Sequence, residues 1–290
     1  MTTMAYDVTP MARDDVAAVE RHLRAALVDV RPSRLRAALL SAVTGKAARV
    51  RPLFCLAVAR AASGREASPL AWATAIAIEM IHCGSLVHDD LPCFDDASER
   101  RGRPTVHRLY GEPAAVLTGD ALIVAAFAQL ARVEAPSSFF AELARATGAS
   151  GGLISGQAME LEESVDVATY HAAKTGALFE IAARLGAATV GSPAAEAFAR
   201  LGREVGALYQ VADDFADVFG SSEAMGKPTG QDAAHGRPSV SASLDRAKAL
   251  SVLATTTKQV LAAIPPCPGE AELRAFLEAV AFRLVERIKR

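Results

Sequence analysis

Residues 71–96 read AWATAIAIEMIHCGSLVHDDLPCFDD, and this stretch decides the fold. From Ala71 to Val87 apolar and small residues fill every face of a helix, interrupted only by polar positions such as Glu79 and His82. A helix that is hydrophobic all round is buried between other elements, so a central helix is expected over 69–90. It ends in four carboxylates within eight residues: Asp89, Asp90, Asp95 and Asp96. Charges this close repel one another unless a cation neutralises them. On an ideal helix Asp89 and Asp95 would lie about 120° apart, but Pro92 breaks the helix and lets the chain fold Asp95 back toward Asp89.

The pattern recurs further on. Asp213, Asp214 and Asp217 lie inside the apolar helix Leu201–Phe219, and Asp213 and Asp217 share a face at i,i+4. Hard oxygen ligands in so apolar a setting suit magnesium or calcium rather than zinc. Cations accompany both clusters. Arg100 and Arg101 follow the first and Lys227 the second, Lys174 and Thr175 lie between them, and Arg49 and Arg51 precede both. Guanidinium forks grip phosphate bidentately and lysine adds a point charge, so the ensemble reads as a site for a substrate carrying a diphosphate. Gly226-Lys227 is not a P-loop, for it lacks the GxxxxGK[ST] spacing.

Outside these clusters the periodicity is helical nearly everywhere, with Ala and Leu at the apolar positions. Helices are expected over 14–30, 33–43, 51–62, 69–90, 112–132, 138–147, 151–163, 167–188, 194–219, 244–263 and 270–288. The polar segments 92–104 and 221–238 resist that reading. No linker, repeat or composition shift divides the chain, so residues 1–290 are expected to form one all-α domain. A hydrophobic fraction of 51% excludes disorder, and a net charge of −2 gives no basic surplus for nucleic acid. The four cysteines have no CxxC or Cys/His ligand spacing and read as reduced thiols. The polar N-terminus is unlike a signal peptide. Glu79, His82 and Asp120 interrupt the apolar runs, so no membrane span is expected. A soluble, cytoplasmic protein is the expectation.

Taken in order, five motifs resemble those of the trans-prenyl diphosphate synthase family: Leu86-Val-His-Asp-Asp-Leu-Pro-Cys-Phe-Asp95, Arg100-Arg-Gly, Lys174-Thr175-Gly, Tyr209-Gln-Val-Ala-Asp-Asp-Phe-Ala-Asp217 and Gly226-Lys227. Within that family the chain is most similar to bacterial geranylgeranyl diphosphate synthases of carotenoid-type pathways. The resemblance implies an antiparallel helix bundle around a central apolar cavity (the isoprenoid synthase fold), usually as a homodimer. It implies a magnesium-dependent prenyltransferase that condenses isopentenyl diphosphate with allylic diphosphates. By the same resemblance Asp89 and Asp95, with Asp90 in support, would hold two Mg2+ ions, and Asp213, assisted by Asp214 and Asp217, a third. Arg100, Lys174 and Lys227 would hold the allylic diphosphate; Arg49, Arg51, His82 and Arg101 would hold isopentenyl diphosphate; Thr175 and Gln210 would face the developing carbocation. Taken alone, His82 reads as a core histidine.

One position departs from the family pattern. Ala48 stands where a lysine is usual, and Lys46 is the nearest alternative cation. Gly84 stands where members that stop at fifteen carbons carry an aromatic, and Ser85 is also small. A twenty-carbon product is therefore expected, closed off deeper by Ile81 and Met80, with close helix packing as the less favoured role of Gly84. A synthase of farnesyl or longer chains, a terpene cyclase and a non-catalytic subunit of a heteromeric synthase are the competing readings. The intact Asp213-Asp214-x-x-Asp217 pattern argues against the last two.

Overall fold

In the computed structural model, which describes residues 10–219 and 245–289, thirteen helices and one small hairpin are found among the described residues. Helices α1 (Pro10–Ala26), α2 (Ser33–Val43), α3 (Val50–Ser63) and α4 (Pro69–Asp89) come first. The hairpin of β1 (Glu99–Arg100) and β2 (Arg103–Pro104) follows. Then come α5 (Val106–Tyr110), α6 (Glu112–Arg132), α7 (Ser137–Thr147), α8 (Leu153–Ala158), α9 (Val167–His171) and α10 (Ala177–Ala188). Helices α11 (Ala195–Phe219), α12 (Arg246–Ala262) and α13 (Glu270–Lys289) complete the fold. The expected all-α class is what the chain adopts.

Helix α4 is the axis of the bundle. Ser68 caps it by accepting from the Ala71 N–H at 3.2 Å, and Pro69 occupies the first turn, where its missing donor costs nothing. Its apolar faces pack on α6 on one side and on α3 and α10 on the other, while α10 also packs on α11. Phe54, Phe179, Phe198 and Phe215 are fully buried in one contiguous core, each contributing about 1.5–3 kcal/mol by removal from water.

Several boundaries differ from expectation. Helix α1 runs from Pro10 to Ala26 instead of 14–30; Pro10 suits a first turn, and Pro32 disfavours helical backbone just before it. The expected helix 151–163 is α8 followed by a single 3-10 turn at Met159–Leu161. The expected helix 167–188 is interrupted by a π-turn at Ala172–Gly176. Segment 92–104 contains the hairpin, and α5 is too short for periodicity to reveal it. Segment 221–238, with Lys227, lies outside the described residues.

Polar interruptions do not by themselves exclude a membrane span here. Both α4 and α6 have 21 residues and are apolar enough to cross a bilayer by length and composition. Their surroundings differ: in the most apolar window 72% of α4 is buried but only 33% of α6. Glu79 in α4 is tolerated because it is enclosed with a guanidinium, and Asp120 in α6 because it faces solvent.

Candidate active site

The end of α4 turns as Pro92 dictates. The Asp95 N–H donates to the Asp89 carbonyl at 2.9 Å, which folds the second carboxylate back over the first. Two of the four acids are engaged by nearby arginines. Asp90 accepts from Arg100 Nε at 2.9 Å and again from its Nη2, and Asp96 pairs with Arg108 at 3.0 Å. Asp89 is half-buried beside them. Burial pushes its carboxyl up to about 6, Lys174 and Arg100 pull it back, and Asp95 and Glu160 add to the rise.

Glu160 escaped the sequence reading. It accepts from Tyr170 Oη at 2.6 Å and from Lys174 Nζ, so the lysine expected at the diphosphate rests against a carboxylate. Lys174 and Thr175 stand on the π-turn. Gly206 lets that turn approach α11 closely, since a Cβ there would meet Gly176 Cα at 2.8 Å. Thr175 Oγ1 thereby reaches Gln210 Oε1 at 2.6 Å, and Gln210 Nε2 donates to Asp214 Oδ1 at 2.8 Å.

The second acidic cluster divides by face. Asp213 is its outward member and pairs with Arg287 of α13 at 2.9 Å. Asp214 and Asp217 are buried, and Asp214 also lies 3.9 Å from His171 Nε2. Asp90 and Asp214, expected in support of the metal-holding acids, hold Arg100 and Gln210. Neither Arg287 nor His171 carried a sequence signal, because their partners are 74 and 43 positions away in the chain.

A cation group occupies the other wall. Arg51 Nη1 lies 3.3 Å from His82 Nε2, with its guanidinium 4.6 Å from the centre of the Phe179 ring and 5.7 Å from that of Tyr209. Burial lowers the Arg51 pKa from its ordinary value. Burial likewise drives His82 well below the usual histidine range, assisted by Arg51, Arg101, Arg49 and Arg100. His82 is therefore a neutral imidazole among guanidinium groups, a surrounding that favours an anion.

Two expectations need correction. Arg49 does not face this wall: in a left-handed conformation at φ 51° it caps α3 and is buried against Glu79 Oε1 at 2.7 Å and the Val43 carbonyl. Gly84 faces α6 and not an open floor. A Cβ there would lie 3.2 Å from the Gly119 carbonyl oxygen and 3.4 Å from Leu122, so the residue serves close helix packing. Met80 and Ile81 are fully buried in the core, and Ser85 Oγ donates to the His82 carbonyl at 2.9 Å. Ala48 and Lys46 are exposed.

Among the described residues no three Asp, Glu, His or Cys side chains stand close enough to enclose a metal ion. Asp89 and Asp95 on one side and Asp213 on the other offer separate carboxylates. That donor set fits a hard cation that keeps waters and is shared with an anionic ligand, the usual manner of magnesium.

The comparisons agree with this geometry. The sequence profile described as Polyprenyl synthetase matches residues 32–264. A geranylgeranyl diphosphate synthase of Cereibacter sphaeroides is 46% identical over 259 residues, covering 88% of this chain and 89% of that protein. A Caulobacter crescentus polyprenyl synthase complexed with calcium and isoprenyl diphosphate superposes with a TM-score of 0.80 at 26% identity, over 96% of each chain. A Helicobacter pylori geranyltransferase complexed with magnesium and isoprenyl diphosphate gives 0.78 at 28% identity, over 95% of this chain and 97% of its own. Two carboxylate faces with cations between them, on an all-α scaffold shared with these proteins, lead to one conclusion: the chain belongs to the polyprenyl synthetase family.

Proposed function

We propose that the protein is a magnesium-dependent prenyltransferase that condenses isopentenyl diphosphate with allylic diphosphates, with geranylgeranyl diphosphate as main product. The observation that carries this reading is the placement of Lys174, Thr175 and Gln210 between the Asp89–Asp95 turn and Asp213. Asp89, Asp95 and Asp213 would hold magnesium, in up to three positions, and the bound metal would supply charge neutralisation for the departing allylic diphosphate.

The chain's own groups do the rest. Lys174, with Arg100 and Lys227, orients the allylic diphosphate, while Arg51, His82 and Arg101 receive that of isopentenyl diphosphate. The allylic carbon–oxygen bond breaks, the isopentenyl double bond attacks the cation, and a proton leaves to the departed diphosphate. Thr175 gives its only hydroxyl hydrogen to Gln210, so its oxygen lone pairs remain for the cation. Gln210 cannot rotate away while Asp214 holds its amide.

The twenty-carbon product rests on the relative from Cereibacter sphaeroides. Chromatography of dephosphorylated products from isopentenyl and farnesyl diphosphates tests it. A twenty-carbon alcohol is expected, and a main product of fifteen or of twenty-five carbons overturns that part of the reading.

The exposed apolar face of α6 supports a homodimer. Val116, Leu117 and Val124 are exposed there, with Leu109 of α5 beside them. Asp120 on the same face would cost about 2.5–3.5 kcal/mol at the centre of a bilayer, which favours a second protein copy over lipid. Light scattering should give twice the chain mass, and Leu117→Asp with Val124→Asp should give a monomer. Four free cysteines, two of them buried, support a reducing, cytoplasmic setting.

A further inference from the structure

The hairpin after the first acidic cluster presents a cation that nothing above employs. Arg100 and Arg103 are direct partners on the antiparallel ladder, so their side chains leave the same face. The turn between them, Arg101-Gly102, has positive φ at both residues, 58° and 73°, the geometry of a tight hairpin turn. Arg100 is held by Asp90. Arg103 is exposed, and its Nη1 donates only to the Thr44 carbonyl, at 3.3 Å. Gly45 lies beneath that nitrogen, which a Cβ would approach to 3.2 Å. Among the described residues no carboxylate lies within ion-pair distance of Arg103.

Between the hairpin and the end of α2 with the Thr44–Gly45 loop runs a cleft of about 40 Å3 lined by Arg100, Arg101 and Arg103. The one carboxylate in its lining is Asp90, already engaged by Arg100. Arg101 ties the cleft to the cation wall, since its charge also bears on Arg51 and His82. A diphosphate carries two phosphate groups and close to three negative charges. Arg51 and Arg101 offer two positive charges and the neutral His82 none, and Ala48, on the loop facing the hairpin, adds nothing.

We propose that Arg103 is a further contact for isopentenyl diphosphate, reaching its terminal phosphate from the hairpin across the Thr44–Gly45 loop. This rests on the prenyltransferase reading above and adds a residue to it.

The test varies each substrate in steady-state kinetics and titrates isopentenyl diphosphate calorimetrically without allylic substrate. Arg103→Gln should raise the KM for isopentenyl diphosphate roughly ten- to a hundredfold. Its kcat and the allylic KM should stay within about twofold of wild type. Arg103→Lys should recover most of the loss, and Ala48→Lys added to Arg103→Gln should recover part of it. An unchanged KM, or equal rises for both substrates, overturns the proposal, the second outcome marking Arg103 as a support of the fold. Absence of condensation by the wild type would strike the prenyltransferase reading alone. The titration then decides on Arg103: weaker binding by Arg103→Gln supports it, while equal binding, or none by the wild type, overturns it.

Discussion

The two acidic clusters carry similar residues and are built in opposite ways. The first lies where a helix stops. Pro92 bends the chain, and its partners Arg100 and Arg108 come from within twelve residues of the acids they hold. The second lies inside an unbroken helix, and apart from Gln210 one turn back the partners described above come from α9 and α13. A cluster at a helix end can be assembled locally by turns, whereas one on a helix face has its backbone fixed and must recruit from the tertiary fold. The first should therefore be robust to changes elsewhere, and the second sensitive to them.

The severest way to probe that contrast is to remove one metal-facing acid from each. Asp89→Ala and Asp213→Ala should each lower kcat on the order of 10³-fold with helical content near wild type, checked by turnover and circular dichroism. If Asp213→Ala keeps near-normal turnover, the two faces do not act together.

Next come the inward acids. Asp90→Ala leaves Arg100 without its partner, and Asp214→Ala leaves the Gln210 amide unpaired. Each should cost about 1–3 kcal/mol of stability in thermal unfolding. Only Asp214→Ala should also lower kcat, by roughly tenfold, without raising either KM, because it frees Gln210 from Thr175. Equal kinetic damage from both would erase the distinction between a local and a recruited cluster.

Acidity sharpens the comparison, for burial raises Asp89 to about 6. Below that pH the carboxyl is protonated in the metal-free protein, and protons compete with the cation. The magnesium concentration at half-maximal activity should climb as pH falls through about 6, and Asp89→Asn should abolish that climb. The smallest effect is expected at Arg287, which shields Asp213. Arg287→Met should lower half-saturating magnesium by roughly two- to fivefold, read by calorimetric titration as well as by rate.

Much of this was legible in the chain because the decisive signals are local. The all-apolar run of α4 forces burial, and both acidic clusters stand out against it. Lys174 and Thr175 were recognisable as a pair, though nothing near them announces Glu160, whose carboxylate meets Lys174 across a 3-10 turn and a loop. Arg49 misled because it is two positions from Arg51. At a helix start that spacing, with Arg49 in the left-handed region, sends one side chain into the core and the other to the site. Gly84 misled because an absent side chain looks the same whether it leaves room for a ligand or for a neighbouring helix. Only the Gly119 carbonyl oxygen decides between them.

The π-turn at Ala172–Gly176 gives the site an unusual kind of fragility. Such a turn is an α-helix carrying one surplus residue, so α9 and α10 are one rod with two rotational phases that meet at Lys174 and Thr175. Deleting Ala172 would let the i→i+5 bonds of the turn close as i→i+4 with both flanks near their present phase, whereas a deletion inside α10 would rotate what lies beyond it by about 100°. The geometry there is stored in a count of residues as much as in their identity. Single-residue deletions in the regular helix Ala177–Ala188 should therefore meet an intolerance that a deletion within Ala172–Gly176 does not show.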